Sequence, residues 1–290
     1  MQICFDRVTF RYDESTAVRD VSLRLPSGGI VSIVGPAAAG KSTLLRLIEG
    51  TQIPTRGTIR LGDQRKQPIS TLVFFAEPSA STASCRSPEV SVVLVDDLLG
   101  HPDFLTATTR RAYVTQQRKD GRIVVYATRD AEDAMAISDH IAVFVAGALV
   151  QADTASRIYD APTNEFVATF FGRPRINLIP AILEKDGQAI LIGNQTVSLA
   201  GRIAEEFCRD ITVGVRPQHV TLRAEPSGWR GRVVSSEAVD DNHSVVVDVE
   251  GVCIRALTPK VYRQNDTVFV RILPKHYVVF DDRGVRLEQL

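Results

Sequence analysis

The sequence predicts an α/β domain over residues 1–172 followed by an all-β barrel domain over residues 173–290. Three observations lead there. At 290 residues the chain is long enough for two domains, each with its own core. Up to about residue 172, short β-branched runs alternate with helical patterns, the rhythm of an α/β domain. From Arg173 onward, after "FFGRPRINLIP", alternating strands separated by Gly, Pro and Asn-Asp turns dominate, which suggests a small antiparallel barrel.

Taken in order, "GGIVSIVG" reads as a buried strand opened by a Gly-Gly turn. "KSTLLRLIEG" places Leu44, Leu45 and Ile48 on one helical face and ends at Gly50 as a C-cap. Two further strands, in "STLVFFAEP" and "VSVVLVDD", are joined by Ala76–Ser91. That stretch is rich in Ser, Ala and Pro without periodicity and reads as a loop. "RIVVYAT" and "HIAVFVAG" are buried strands flanking "RDAEDAMAISD", a short helix with Ala131, Ala134 and Met135 turned inward. The second domain carries strands in "DITVGVRP", "HSVVVDVEGVCIRAL", "DTVFVRIL" and "HYVVFDD", with a helical pattern only around Ala200 to Phe207. Its polar positions Arg216, His219 and Arg255 read as solvated barrel surface, and no internal repeat is evident.

Composition narrows the function classes. Lys plus Arg and Asp plus Glu both number 34, so the chain lacks the basic excess of a dedicated nucleic-acid binder. The four cysteines are scattered without a CxxC pair, which suggests neither a disulfide framework nor a zinc site and fits a reduced, cytosolic compartment. His101 and His140 have no metal-ligand spacing. "MQICFDRVTF" lacks the features of a secretory signal, and runs such as "VSVVLV" are too short to cross a bilayer. Membrane association is therefore expected only through a partner.

The chemistry concentrates in two stretches. Gly35, Gly40, Lys41 and Ser42 fit G-x-x-x-x-G-K-[ST], between a strand and a helix as that loop requires. A glycine at each end lets the backbone wrap closely, so that successive N–H groups around Pro36, Ala37, Ala38, Ala39 and Thr43 point at phosphate oxygens. In this loop Lys41 would reach the β- and γ-phosphates of a nucleotide, Ser42 would ligate Mg²⁺, and the helix adds its positive end. In the second stretch, Val92–Val95 delivers Asp96 to the C-terminal end of a strand, where ligands collect in open α/β sheets. Asp96 is positioned to hold Mg²⁺ through a water, and Asp97 follows where a general base would sit.

Together with their surroundings these stretches resemble the ATPase subunit of ABC importers, in the carbohydrate-uptake class with a C-terminal TOBE domain. The resemblance covers nearly the whole chain. "VTFRYDESTAVRDVSLRLPSGGIVSIVGPAAAGKSTLLRLIEGTQIPTRGTIRLGD" is similar to the family's first segment. Tyr12 lies where an aromatic stacks on adenine, though it reads equally as a turn aromatic. "VDDLLGHPD" resembles the Walker B strand and D-loop, with Asp103 as the D-loop aspartate. "YATRDAEDAMAISDHIAVFVAGALVQADTASRIYDAPTNEFVATFFG" resembles the switch region and exit from the domain, and "VGVRPQHVTL" the opening of the TOBE strands. The resemblance implies a P-loop NTPase domain of the ABC type followed by a TOBE/OB-like barrel. It also implies ATP and Mg²⁺ as ligands, permease subunits as partners, and a position on the cytoplasmic face of the cell membrane.

Departures from the family qualify the activity. No LSGGQ-like string occurs anywhere, and the long helical subdomain that carries it is absent between Lys41 and Asp96. Phe75 and Ala76 stand where a Q-loop glutamine is expected. Asp97 replaces the catalytic glutamate, and Arg129, in "TRD", replaces the switch histidine. Asp97 stands about 1.5 Å back from an attacking water, and a misplacement of about 1 Å costs on the order of a hundredfold in rate. Arg129 offers fixed charge but cannot accept a hydrogen bond as a neutral imidazole can. Three readings follow. The first is a degenerate transport ATPase subunit beside permeases or paired with a complete paralogue. The second is a nucleotide-binding pseudoenzyme with a regulatory role, and the third is a sensor whose barrel binds a solute.

Overall fold

The structure is a computed structural model describing residues 2–26, 28–62, 64–65, 72–75, 92–98, 106–118, 122–204 and 209–288. The loop 76–91, His101 and Asp103 lie outside the described residues. The chain divides into two compact units, Met1–Asp160 and Ala161–Leu290.

The first unit is built on a six-stranded sheet. From one edge it runs β6 (Leu72–Phe75), β7 (Val92–Asp96), β8 (Ile123–Thr128), β3 (Gly29–Val34), β9 (His140–Val145) and β10 (Ala148–Thr154). All neighbours are parallel except β9 and β10, a hairpin turned at Ala146 and Gly147, both with positive φ. The inner strands are nearly continuous apolar runs because both faces are covered. Val31, Ile33, Val92, Leu94, Ile123 and Val125 share one core with Leu44, Leu45, Leu47 and Ile48 of helix α1 (Lys41–Glu49). Ile30, Val93, Val95, Val124 and Tyr126 face the other way, onto Leu98 and onto Val114 of helix α2 (Ala107–Gln117).

The first core is closed by an antiparallel sheet ordered β2 (Ser15–Leu25), β1 (Ile3–Tyr12), β4 (Arg56–Leu61) and β5 (Gln64–Arg65). Along β1 the buried residues Ile3 and Phe5 are followed by Val8 and Phe10, a change of phase. The pairing with β2 shifts register between Phe5 and Val8, and Arg7 there has φ 46°. The bulge restores the apolar set to the inner face. Helix α1 ends at Gly50, whose left-handed conformation returns its N–H to Arg46 O as the sequence implies. Helix α3 (Ala131–Ile137) is capped by Asp130 and buries Ala134, while Ala131 and Met135 are half-buried.

The second unit places its strands in two five-stranded antiparallel sheets around one core. The first has the order β13 (Gln195–Ser198), β12 (Ala189–Ile192), β11 (Asn177–Leu183), β14 (Asp210–Val215), β20 (Val278–Phe280). The second has β15 (Val220–Arg223), β19 (Thr267–Ile272), β16 (Trp229–Val239), β17 (Asn242–Val249), β18 (Val252–Thr258). The chain passes between them twice, each time through a 3₁₀ turn opened by proline, Pro217–His219 and Pro274–His276. The two crossings share V-x-[VI]-x-P-x-H, from Val213 and from Val270. This short correspondence falls at the two crossings alone. Its two histidines stack with ring centroids 3.8 Å apart and planes 6° from parallel.

Other expectations for this unit change as well. Arg216 is buried, and its Nη1 donates to Ala168 O at 2.8 Å and Phe171 O at 2.5 Å. It therefore binds carbonyls in and just after helix α4 (Glu165–Phe170), which falls in the second unit although the change of composition comes at 172/173. His219 and Arg255 are half-buried; Arg255 donates through Nη1 to Ser244 Oγ and through its backbone to Asn177 Oδ1. Residues 200–204 form no helix. Ile203 is instead fully buried and its N–H is tied to Gly187 O, which holds the chain extended against the core.

Candidate nucleotide-binding site

At the C-terminal end of β3 the chain turns into α1 through Gly35–Gly40. A Cβ at Gly35 would overlap Phe144 O, and one at Gly40, where φ is 90°, would overlap Ala17 O. Both glycines are therefore dictated by close backbone approach. Ala38 also has positive φ, at 59°. Pro36 is half-buried, Ala37 and Ala38 are exposed, and Ala39 is buried beneath the loop. Lys41 is only 7% exposed, with Nζ donating to Gly35 O at 2.9 Å and Pro36 O at 2.7 Å. Burial is the main influence on its ammonium and pushes its pKa down; Asp97 and Asp96 support the charge, whereas Arg129 opposes it.

Asp96 stands at the end of β7 and is hydrogen-bonded by Ser42, so the two predicted Mg²⁺ ligands meet. Burial raises the Asp96 pKa and the adjacent Asp97 adds to the effect, against the Ser42 hydrogen bond and the charges of Lys41 and Arg46. Its Oδ1 is buried without a partner, as is Asp97 Oδ1. A divalent cation and its waters would satisfy such oxygens. Orphaned Asp96 Oδ1, the Ser42 hydroxyl and a loop with no room for side chains at its glycines fit Mg²⁺ and a phosphate chain. Among the described residues no group of three or more His, Cys, Asp or Glu could hold a metal alone, so the ion would depend on phosphate and water.

Tyr12 ends β1 beside α1. Its ring meets Phe10 edge-on at 4.8 Å, and its hydroxyl is hydrogen-bonded by Thr43 and by Arg46 Nη1, the latter at 3.3 Å. These bonds, Thr43 foremost, lower the phenol pKa against the effect of burial. Tyr12 is 37% exposed.

The two altered catalytic positions meet each other. Arg129 Nε donates to Asp97 Oδ2 at 2.7 Å, with side chains 48% and 25% exposed. Sequence reasoning placed each residue separately and missed the pair. It also missed the charges behind it. Arg110 donates to Asp133 at 2.5 Å and Asp130 at 3.0 Å, and Arg111 donates to Asp133 at 2.9 Å. Asp130 Oδ1 caps α3 through the N–H groups of Glu132 and Asp133. The signal for this cluster was the run Asp130-x-x-Asp133, one aspartate capping and the other on the inward turn of the same short helix.

A strand, a glycine-bounded loop curled around a buried lysine, and a serine–aspartate pair at the neighbouring strand end have the arrangement of a P-loop. Residues 18–139 match the family described as ABC transporter. MsiK of Streptomyces coelicolor, the ATP-binding protein of a diacetylchitobiose uptake system, is 27% identical over 315 aligned positions, covering 85% of this chain and 82% of its own. MalK of Vibrio parahaemolyticus, a maltose/maltodextrin import ATP-binding protein, is 25% identical and covers 89% of this chain and 87% of its own. A solved ATP-binding subunit of an ABC transporter is 16% identical, with a TM-score of 0.45, over 55% of this chain and 92% of its own. Among the described residues no helix is long and apolar enough to cross a membrane.

Proposed function

We propose that the chain is an ATP-binding subunit of an ABC importer for a sugar or related solute, and that it holds Mg-ATP with weak or absent hydrolysis. The observation that carries this is the Asp97–Arg129 ion pair beside an otherwise fitting Lys41, Ser42 and Asp96. A general base must lie within about 2.6–3.2 Å of the proton it takes. One Asp97 oxygen is engaged by Arg129, and a guanidinium has no acceptor to offer a water in its place. Binding requires neither function.

The strand-rich second unit supports a TOBE-like assignment, with the crossing at "VGVRPQHVTL" as its opening phrase. The MsiK alignment is longer than this 290-residue chain, so that relative carries residues without a counterpart here, in keeping with a missing helical subdomain. Without a signature loop, two copies of this chain cannot complete a nucleotide site in the family's manner. The reading therefore includes permease subunits and a complete ATPase paralogue as partners, with membrane attachment only through them. Light scattering after size exclusion, with ATP and Mg²⁺, should show a mixed dimer with such a paralogue. A stable ATP-dependent homodimer and no mixed species would refute the partner.

Purified protein should bind a fluorescent ATP analogue with Mg²⁺ while turning over far more slowly than the about 1 s⁻¹ at the low end of ordinary enzymes. Turnover at that rate or above would overturn the reading. Asp97→Glu with Arg129→His should leave hydrolysis unrestored, because no signature loop faces the γ-phosphate. A repaired double variant that hydrolyses ATP as a homodimer would prove the loop dispensable.

A further inference from the structure

The outward face of the second sheet of the second unit gathers positive charge. Register sets Arg223 of β15 and Arg230 of β16 directly opposite Phe269 of β19, one on each side. Arg271 follows on β19 and Arg232 on β16, on opposite sides of that row, with Asp248 of β17 opposite Arg232. Leu222, Val233, Val268 and Val270 are buried in the core, so strand alternation turns the arginines and Phe269 outward. The four arginines are exposed and Phe269 is half-buried. Among the described residues their guanidinium groups make no ion pair or hydrogen bond. Like charges gathered on one sheet face repel, so stability does not account for the cluster. Nor does an overall basic chain, since Lys plus Arg and Asp plus Glu are equal at 34 each.

We propose that this face docks an acidic segment of a partner protein, with carboxylates taken by the arginines and an apolar side chain seated on Phe269 between them. A guanidinium suits a carboxylate in two-point contact. Arg223 and Arg230 stand two strand spacings apart, about 10 Å, with the ring between them. The face therefore asks for negative charge on either side of an apolar centre. Single-stranded nucleic acid fits it less well, because successive bases need successive rings and the positions flanking Phe269 on its own face of β19 are Thr267 and Arg271. A lipid surface also fits it less well, because a half-buried ring offers little to insert. The docking does not depend on the nucleotide reading, since every residue in it belongs to the second unit.

The test is fluorescence anisotropy on the full chain with a labelled Glu-rich peptide carrying one central Leu. Oligo-dT of equal length and phosphatidylglycerol-containing vesicles serve as competing probes. The peptide should bind, and more weakly as salt rises. Arg223→Gln with Arg230→Gln should weaken it by about tenfold, the scale of two exposed ion pairs. Arg24 and Arg60, exposed and opposite Cys4 on either side in the first unit, provide the control. Changing both of them to Gln should leave affinity within about twofold. Phe269→Thr should weaken the Leu peptide but not one with Ser at that place. Thermal melts confirm that each variant is folded. Equal losses in the two double variants would mean that general charge explains the binding, and the docking face is then wrong. An equal response of the Leu and Ser peptides overturns the seat on Phe269. Oligo-dT or vesicles held more tightly than the peptide, and lost in the Arg223/Arg230 variant, overturn the choice of an acidic segment. No binding of the peptide at low salt overturns the proposal outright.

Discussion

Lys41→Ala is expected to abolish binding of a fluorescent ATP analogue, weakening it by at least about a hundredfold, the scale of losing two or more charge-assisted hydrogen bonds. The side chain is almost wholly buried and its ammonium is held inside the loop by two carbonyls. It is also the cation that balances Asp96 and Asp97, whose carboxylates act on it. Alanine would remove that charge and leave phosphate oxygens facing two acidic groups. The loop itself should persist, because its course is set by Gly35 and Gly40 against Phe144 and Ala17. Anisotropy titrations alongside circular dichroism separate lost binding from lost fold. Binding within about threefold of wild type would mean that the backbone of the loop, rather than the lysine, carries affinity here.

The second large effect concerns stability. Asp133 is fully buried and receives both Arg110 and Arg111, while Arg110 is itself nearly buried. Asp133→Ala leaves the Arg110 charge under-compensated in the interior and should destabilise the first unit by about 3 kcal/mol, the low end for breaking a buried pair because Asp130 still accepts from Arg110. Arg111→Ala should do much less, since its side chain is about a third exposed. Urea unfolding of the full chain, followed by probes in the first unit, measures both. A loss under about 1 kcal/mol for Asp133→Ala would show that Arg110 stays compensated without Asp133. The variant bears on the site too, because Asp130 adjoins Arg129 and caps the helix that follows.

What could be read from the sequence divides by the range of the interactions involved. The strand, loop and helix around Lys41 are local. Their residues are neighbours in the chain, although the glycines at 35 and 40 also answer to the carbonyls of Phe144 and Ala17, which are distant in sequence. Asp96 was legible because four apolar residues deliver it to a strand end. The Asp97–Arg129 pair was not legible, since it joins the ends of adjacent parallel strands far apart in sequence and only the order of the sheet brings them together. Arg216 misled for a related reason. A charged residue in a strand-rich stretch ordinarily faces water, and its burial becomes intelligible only once the carbonyls of a preceding helix are found to receive it. Of the helix expected from Ala200 to Phe207, residues 200–204 are not helical and Ile203 is buried in the core, while 205–207 lie outside the described residues.

The paired crossings of the second unit carry a mechanical consequence. The chain leaves the first sheet through Pro217–His219 and re-enters it through Pro274–His276, so each sheet is fastened to the other by continuous backbone at two points. Beside the crossings, β14 lies next to β20 and β15 next to β19, and the stacked imidazoles sit where the fastenings meet. Displacement of one sheet from the other at this edge would have to strain both connections together. The two sheets are thus joined along one edge by a doubled covalent seam.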